Sequence, residues 1–568
     1  MTDSPKGRAL TWMDGLLGAT IVAAYLALLL SSVSDLGYAR DEGFYFQAAS
    51  AYGQWFTELF DNPRHALQQS VIDAHWAINS EHPSLMKSLF ALSNLFLFKR
   101  HSLFAMEGTS FRFPGMLVSS LGVGLVYVWG ARAKGRTAGL AAAFLLAMMP
   151  RFFYQAHLAC FDGPVVAIWL LSAFAYWMAI QRGGILAPVL AGIAFGLALD
   201  TKHNAWFLPF LVMSHAIAAT VRSKLMGGPV RLIARRAMAA IGSMATLGPL
   251  VFYALWPWIW HDTRARLLGY VKFHLNHDYY NMEFLGRNFW TPPMPRGYAP
   301  LMTAATVPMI TLLLFGVGLL YCLRESTWPA LRALVGRGRV RGAQYEDLAS
   351  TDLLWLFAMA VSYGAWLLPG TPIFGGTKHW MQAYPFMALF AGVAFSRVVG
   401  AAREALAHRG WARLARRPIP EVTLAAAVLI APIAETRSSH PWGLSAYTPL
   451  VGGAAGAATL GLNRTFWGYT TSSVADYLNR EIPPYGRVYV HDTARSAWEM
   501  MVKDGRIRAD IRVALSTADA DYALYHHEKH MLGQEYQAWV AYGTVRPVMI
   551  AGLDGVPVIW VYKRPPSR

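Results

Sequence analysis

A helix crosses a bilayer core when it offers about 20 consecutive apolar residues, and this chain offers such runs repeatedly. They lie near 12–34, 112–130, 137–153, 163–181, 185–200, 204–221, 237–258, 301–323, 352–370, 380–396 and 421–435. The expected fold class is therefore an all-α polytopic membrane protein with about 11 transmembrane helices. The third and last runs are short. The first is not a cleavable signal peptide, because no small-residue cleavage site follows its long apolar run. Composition agrees: 55% of residues are hydrophobic and 15% are charged, whereas soluble domains carry about 25% charged residues. An aromatic content of 13% excludes a disordered chain. Two cysteines, Cys160 and Cys322, are too few for a disulfide framework or a cysteine-rich metal site.

The net charge of +17 invites nucleic acid as a partner. The positions of the basic residues argue for membrane topology instead, since Lys and Arg stay preferentially on the cytoplasmic side. With Lys6 and Arg8 inside, the inner loops hold Arg132, Lys134, Arg136, Arg182, Arg222, Lys224, Arg231, Arg235 and Arg236. Further along they hold Arg324, Arg332, Arg337, Arg339, Arg341, Arg397, Arg403, Arg409, Arg413, Arg416 and Arg417. The short outer connections hold Arg151, Lys202 and Lys378, one each. The N-terminus is thus expected in the cytoplasm. An odd number of spans puts the C-terminal region on the extracytoplasmic side, and no nucleic acid is expected as a partner.

Three parts follow: a transmembrane domain over 1–435, an outer connecting segment over 436–464, and a small extracytoplasmic α/β domain over 465–568. The last part loses the apolar runs and gains strand-like pieces at Arg487–His491 and Val556–Tyr562. The Gly/Ala-rich stretch 440–462 reads as an outer loop, with a twelfth span as the alternative.

The unusual polar residues gather at the outer ends of the spans. The first outer loop, 35–111, is far longer than a simple connection needs. In it Tyr45, Ala49, Tyr52, Phe56 and Leu59 mark one face of a helix suited to the membrane interface. Asp41 and Glu42 precede that helix. Adjacent carboxylates there are either a solvated helix N-terminus or functional groups. Glu81, His82 and Lys87 follow within seven residues and offer an acid and cations for a phosphate. The second connection carries His157 and Asp162, the latter also readable as a helix cap. The third carries Lys202 and His203, the fourth His274, His277 and Asp278, and the fifth Lys378 and His379. The His274, His277 and Asp278 spacing is compatible with a metal, but the ligand set is incomplete. Acids and Lys/His pairs on one face together describe an anion-binding site with a base beside it.

This ordered set resembles the GT-C superfamily of integral membrane glycosyltransferases, in particular the protein O-mannosyltransferase and lipid A aminoarabinose transferase branch (glycosyltransferase family 39/83-like). The resemblance runs over roughly 12–400. Asp41-Glu42 is similar to the acidic pair of the family's first outer loop. His82-Pro83-Ser84-Leu85-Met86-Lys87 is similar to its His-Pro-Pro-Leu-x-Lys-like motif, with Ser84 in place of the second Pro. Asp162, Thr201-Lys202 and the Lys378-His379 pair match later positions.

The resemblance implies the GT-C fold and an inverting transfer of a sugar from a polyprenyl-phosphate donor, at the extracytoplasmic face of a bacterial inner membrane. The acceptor is a lipid, a glycan or a protein. It implies Asp41 as the general base, Glu42 orienting a loop or the acceptor, and Asp162 on the acceptor side. Lys202, Lys378, His379, His82 and Lys87 would hold the donor phosphate. Glu81, His157, His203, His274 and His277 remain further candidates. No cofactor or metal is required, although the histidines leave room for a divalent cation. Two alternatives use the same lipid-linked chemistry: a flippase or transporter, and a polysaccharide polymerase or ligase.

Overall fold

The computed structural model describes residues 10–329, 332 and 347–566. Lys6, Arg8, Arg337, Arg339 and Arg341, counted above with the inner loops, lie outside the described residues.

Among the described residues, seven helices are long and apolar enough to cross a membrane: Trp12–Asp35, Glu107–Lys134, Asp162–Arg182, His203–Leu225, Val230–Leu255, Met381–His408 and Ile419–Ser439. Two more crossings are broken. Arg136–Ala147 meets Pro150–His157 at 69°, and Tyr298–Thr306 meets Met309–Glu325 at 119°. Pro150 and Pro308 stand at these breaks, where a proline removes a helical hydrogen bond and restricts the residue before it. Leu186–Leu199 and Thr351–Leu367 are helical but shorter than a span needs. Every one of the apolar runs is therefore helical, yet seven to nine rather than eleven meet the length of a crossing. Within 440–462 the longest helix is Gly453–Thr459, seven residues, which cannot cross a bilayer. Asp162–Arg182 is the most enclosed span, with 83% of its apolar window buried, against 17% for Val230–Leu255 and Ile419–Ser439 at the periphery.

The helices that position the site are α1 (Trp12–Ser32), α2 (Arg40–Asp61), α3 (Leu85–Ser93), α4 (Glu107–Lys134), α5 (Asp162–Arg182) and α6 (Arg495–Lys503). The aromatic face of α2 is covered by protein rather than left for a membrane interface: Tyr45, Ala49 and Tyr52 are buried, and Phe44 and Gln47 are exposed. Tyr52 stacks on Trp76 at 3.9 Å, and the Trp55 indole donates to the Ala66 carbonyl at 2.9 Å. On its other flank α2 meets α6. A Cβ at Gly43 would stand 2.7 Å from the Ala497 amide nitrogen, so this helix pair needs glycine there.

Strands β1 (Met282–Phe284) and β2 (Arg287–Phe289) form a small antiparallel hairpin. The C-terminal region builds a five-stranded sheet from β3 (Arg487–Tyr489), β4 (Arg512–Ala514), β5 (Tyr522–His526), β6 (Met549–Leu553) and β7 (Val556–Lys563), in the order β4-β3-β5-β7-β6. β3 runs parallel to β4 and β5, while β7 runs antiparallel to β5 and β6. Every residue of the central strand β5 is buried. Asp554 and Gly555 close the β6–β7 hairpin with φ of +51° and +76°, the left-handed geometry that matches strand twist. Asp504 of this region accepts the backbone N–H groups of Glu107 at 2.8 Å and Gly108 at 3.4 Å, capping the positive end of α4. Its other oxygen takes the Tyr38 hydroxyl.

One buried ion pair ties these parts together. Glu42 (0% exposed) accepts from Arg112 of α4 (1% exposed), Nε to Oε1 at 2.7 Å and Nη2 to Oε2 at 2.8 Å. Glu42 also accepts the backbone N–H groups of Ala39 and Ala159, each at 2.9 Å. Arg112 spends its remaining donors on the carbonyls of Val33, Leu36 and Gly37. Arg112→Met leaves the Glu42 carboxylate buried without its counter-charge, which costs about 3–5 kcal/mol. The measurement is thermal unfolding in detergent, where the midpoint is expected to drop sharply. The double variant with Glu42→Gln is expected to recover part of that loss.

Candidate active site

Asp41 stands in the first turn of α2, its side chain 21% exposed, between two cations. Arg40 Nε is 3.7 Å from its Oδ1, and Lys378 Nζ is 3.7 Å from its Oδ2. Lys378 belongs to the turn Gly376–His379, which precedes the helix Tyr384–His408. Gly375 has φ of +73°, and a Cβ there would lie 2.9 Å from Lys378 Nζ, so this glycine lets the lysine fold back over its own turn. The Lys378 ammonium also lies 4.0 Å from the ring centre of Trp467. Burial pushes the Lys378 ammonium below its ordinary pKa, and the Asp41 and Asp162 carboxylates work against that shift.

Beside this pair sits a second one. Asp162 opens α5, and Lys202 follows the helix Leu186–Leu199 with an extended backbone. Their side chains meet at 2.5 Å and are 6% and 9% exposed. Residues from the connections after α1, before α5, after Leu186–Leu199 and before Tyr384–His408 thus meet at one end of the bundle.

Three histidines line the same region. His203 and His274 stack with centroids 4.1 Å apart, and His82 packs against His274 at 5.6 Å. Nδ1 of His82 and of His203 are buried without a hydrogen-bond partner. Burial holds His82 and His274 below the ordinary imidazole pKa, His274 at about 4. His274 bonds the Glu81 carbonyl at 3.0 Å, and the Glu81 carboxylate accepts the Asn79 side-chain amide at 2.6 Å. His277 stacks on Phe374 at 4.3 Å instead of joining His274. Among the described residues no three His, Cys, Asp or Glu side chains form a group that could hold a metal ion.

Four of the candidate residues have their polar atoms engaged by the protein itself. Lys87 is fully buried, and its ammonium donates to the Asn79 and His82 carbonyls at 2.6 and 2.9 Å, which fastens the turn before α3. Burial brings its pKa down to about 7. His157 bonds the Phe153 carbonyl through Nδ1 at 2.7 Å and Ser32 through Nε2 at 3.0 Å, which makes it a tie between helices. Glu42 has both oxygens engaged by Arg112 and backbone amides and is fully buried. The His379 ring packs on Trp366 at 4.4 Å and contacts the Phe374 carbonyl, bracing the turn that carries Lys378.

Sequence reasoning missed Arg40, Trp467, Asp200 and Asp492. Arg40 stands next to the acidic pair in sequence. Its other partner, Asp492 Oδ1, is 2.6 Å away in space and 452 residues away in the chain. Asp200 accepts Ser84 N–H at 3.1 Å and its hydroxyl at 3.0 Å, which fixes the His82–Lys87 loop onto the Lys202 turn. Burial pushes its carboxyl up to about 8.

Residues 92–260 match the family described as dolichyl-phosphate-mannose-protein mannosyltransferase. No curated protein matches the chain. Among solved structures, the chain is similar to ArnT from Cupriavidus metallidurans bound to undecaprenyl phosphate, at 14% identity and a TM-score of 0.48, over 96% of this chain and 97% of that one. It is also similar to the oligosaccharyltransferase of Archaeoglobus fulgidus in the apo form, at 12% identity and a TM-score of 0.48, over 94% of this chain and 72% of that one. The family match spans α4, α5 and the helices up to Val230–Leu255, so this stretch is similar to that family, and the apolar helices make the chain a multi-pass membrane protein.

Proposed function

We propose that the chain transfers a sugar, with inversion, from a polyprenyl-phosphate donor to an acceptor at the extracytoplasmic face of a bacterial inner membrane. The N-terminus then lies in the cytoplasm and the C-terminal sheet region outside. The observation that carries this reading is the pairing at one end of the bundle: Asp41 beside Lys378, and Asp162 beside Lys202. Asp41 takes the proton of the acceptor hydroxyl or amine as that group attacks the anomeric carbon. The bond from the anomeric carbon to the phosphate oxygen breaks, and its electron pair stays on the phosphate. Lys378 and Lys202 hold the charge that grows there. His82 and His203, with their free Nδ1 atoms, are the next groups an anion in this space would meet. Asp162 keeps Lys202 in place, and no step passes through a metal ion.

Placement of the charges at span ends favours transfer over translocation, which needs polar groups near the bilayer centre. ArnT was solved bound to undecaprenyl phosphate, which agrees in kind with the donor proposed.

The test uses the full chain in lipid with a panel of polyprenyl-phosphate sugars and a membrane extract as acceptor source. Wild type is expected to release free polyprenyl phosphate from one donor. Asp41→Asn is expected to melt like wild type and to lose about 10²–10⁴-fold in turnover. Normal turnover in that variant would sink the assignment of the base.

Lys202 and Lys87 separate by a different readout. Lys202→Met is expected to cut turnover and raise the donor KM. Lys87→Met is expected to cost about 1–3 kcal/mol of stability, since it strips buried carbonyls of their donor, with the donor KM of the folded enzyme unchanged. A raised donor KM in Lys87→Met would return that lysine to the phosphate site.

A further inference from the structure

The C-terminal region holds a cavity of about 180 Å³ that the transfer chemistry above does not use. His491, Asp492, His530, Met531, Gly533 and Gln534 line it. Asp492 Oδ1 is 2.6 Å from Arg40 Nη1, and Arg40 Nε is 3.7 Å from Asp41 Oδ1, so one guanidinium separates the cavity from the proposed base. Asp492 has φ of +56°, a left-handed backbone that a non-glycine residue adopts at a cost.

His491 is the most telling residue. It is 9% exposed, and its Nε2 accepts the His526 backbone N–H at 2.9 Å. A neutral imidazole that accepts at Nε2 carries its proton on Nδ1. That Nδ1–H is buried and meets no acceptor in the protein, a loss a folded chain does not carry without reason. Gln534 offers a second donor. Its Oε1 accepts the Tyr489 hydroxyl at 2.7 Å, which turns the two amide hydrogens the other way.

The charges around the cavity cancel. Burial works to raise the Asp492 carboxyl, but Arg40 holds it below its ordinary value, so Asp492 stays ionised and paired. Burial and the Asp492 charge push the Glu528 carboxyl well above its ordinary value. Burial holds His491 at about 3 and lowers His530, so both rings are neutral near pH 7. The lining thus presents hydrogen-bond donors and acceptors with no surplus charge. Asp492 is paired with Arg40 through Oδ1, and its Oδ2 is buried without a hydrogen-bond partner, so the lining also offers an acceptor for a hydroxyl.

We propose that this cavity is a saccharide subsite, binding one uncharged pyranose ring of the acceptor and delivering its neighbouring hydroxyl to Asp41. The word acceptor rests on the transferase reading; the binding of a neutral sugar does not.

The experiment is saturation-transfer NMR on the full chain in lipid nanodiscs. The probes are methyl α-mannopyranoside and methyl β-glucopyranoside as neutral glycosides, and mannose 6-phosphate as an anion of the same ring. A neutral glycoside is expected to bind, the sugar phosphate is not, and Gln534→Leu is expected to weaken binding at least about tenfold. His491→Phe is expected to do the same. Because His491 also carries a structural bond, the half-buried Gln534 keeps the test sound if that variant misfolds. The proposal is overturned if neither neutral glycoside binds, if mannose 6-phosphate binds equally well, or if Gln534→Leu binds like wild type. Donor cleavage measured on the same samples separates the two readings. Glycoside binding with no release of polyprenyl phosphate from any donor defeats the transferase alone. Transfer with Gln534→Leu unaffected in glycoside binding defeats the subsite alone.

Discussion

The Glu42–Arg112 pair is the contact on which the arrangement of this protein depends. A carboxylate and a guanidinium with at most 1% exposure are tolerable only when every lone pair and every N–H is used. Here the chain supplies those partners from α4, from the turn after α1 and from the loop before α5. One pair therefore fixes the entry of α2, and with it the direction in which Asp41 projects. Glu42 and Asp41 are neighbours, so the first holds the helix turn while the second stays open to the site. The division of labour follows from helix geometry, because adjacent side chains point about 100° apart.

The C-terminal region is part of the same construction. It caps α4 through Asp504, holds Arg40 through Asp492, and lays Trp467 over Lys378. Arg506 adds a bond to the Leu36 carbonyl at 2.7 Å. Each contact lands on or beside the segment that carries the site. The sheet behind them is stiff: its central strand is wholly buried and paired on both sides. Both cations that flank Asp41 are thus steadied from outside the bundle.

The transmembrane character was plain in the sequence because apolar length is a one-dimensional property, and the helices fall where the runs do. Their breaks were less plain, although Pro150 and Pro308 stand at both. The sequence showed a set of residue types at span ends, and the fold brings Asp41, Asp162, Lys202 and Lys378 of that set near one another. It did not show which of them spend their polar atoms on the scaffold. Lys87, His157 and Glu42 have the chemistry of a site and the partners of a scaffold, and those partners are carbonyls and amides that no side-chain pattern reveals. Arg40 and Asp492 went unseen for the opposite reason, since their meaning lies in a contact between the two ends of the chain.

The Asp162–Lys202 pair bears on how such a site turns over. A bare buried ammonium would clutch any phosphate that reached it and surrender it slowly. Lys202 is already neutralised at 2.5 Å before any anion arrives. In the proposed transfer, an incoming phosphate shares the lysine with its resident carboxylate, and a departing one leaves behind a pair that closes again. In that reading the pair trades affinity for release. The carboxylate beside the cation is a spring that resets the trap.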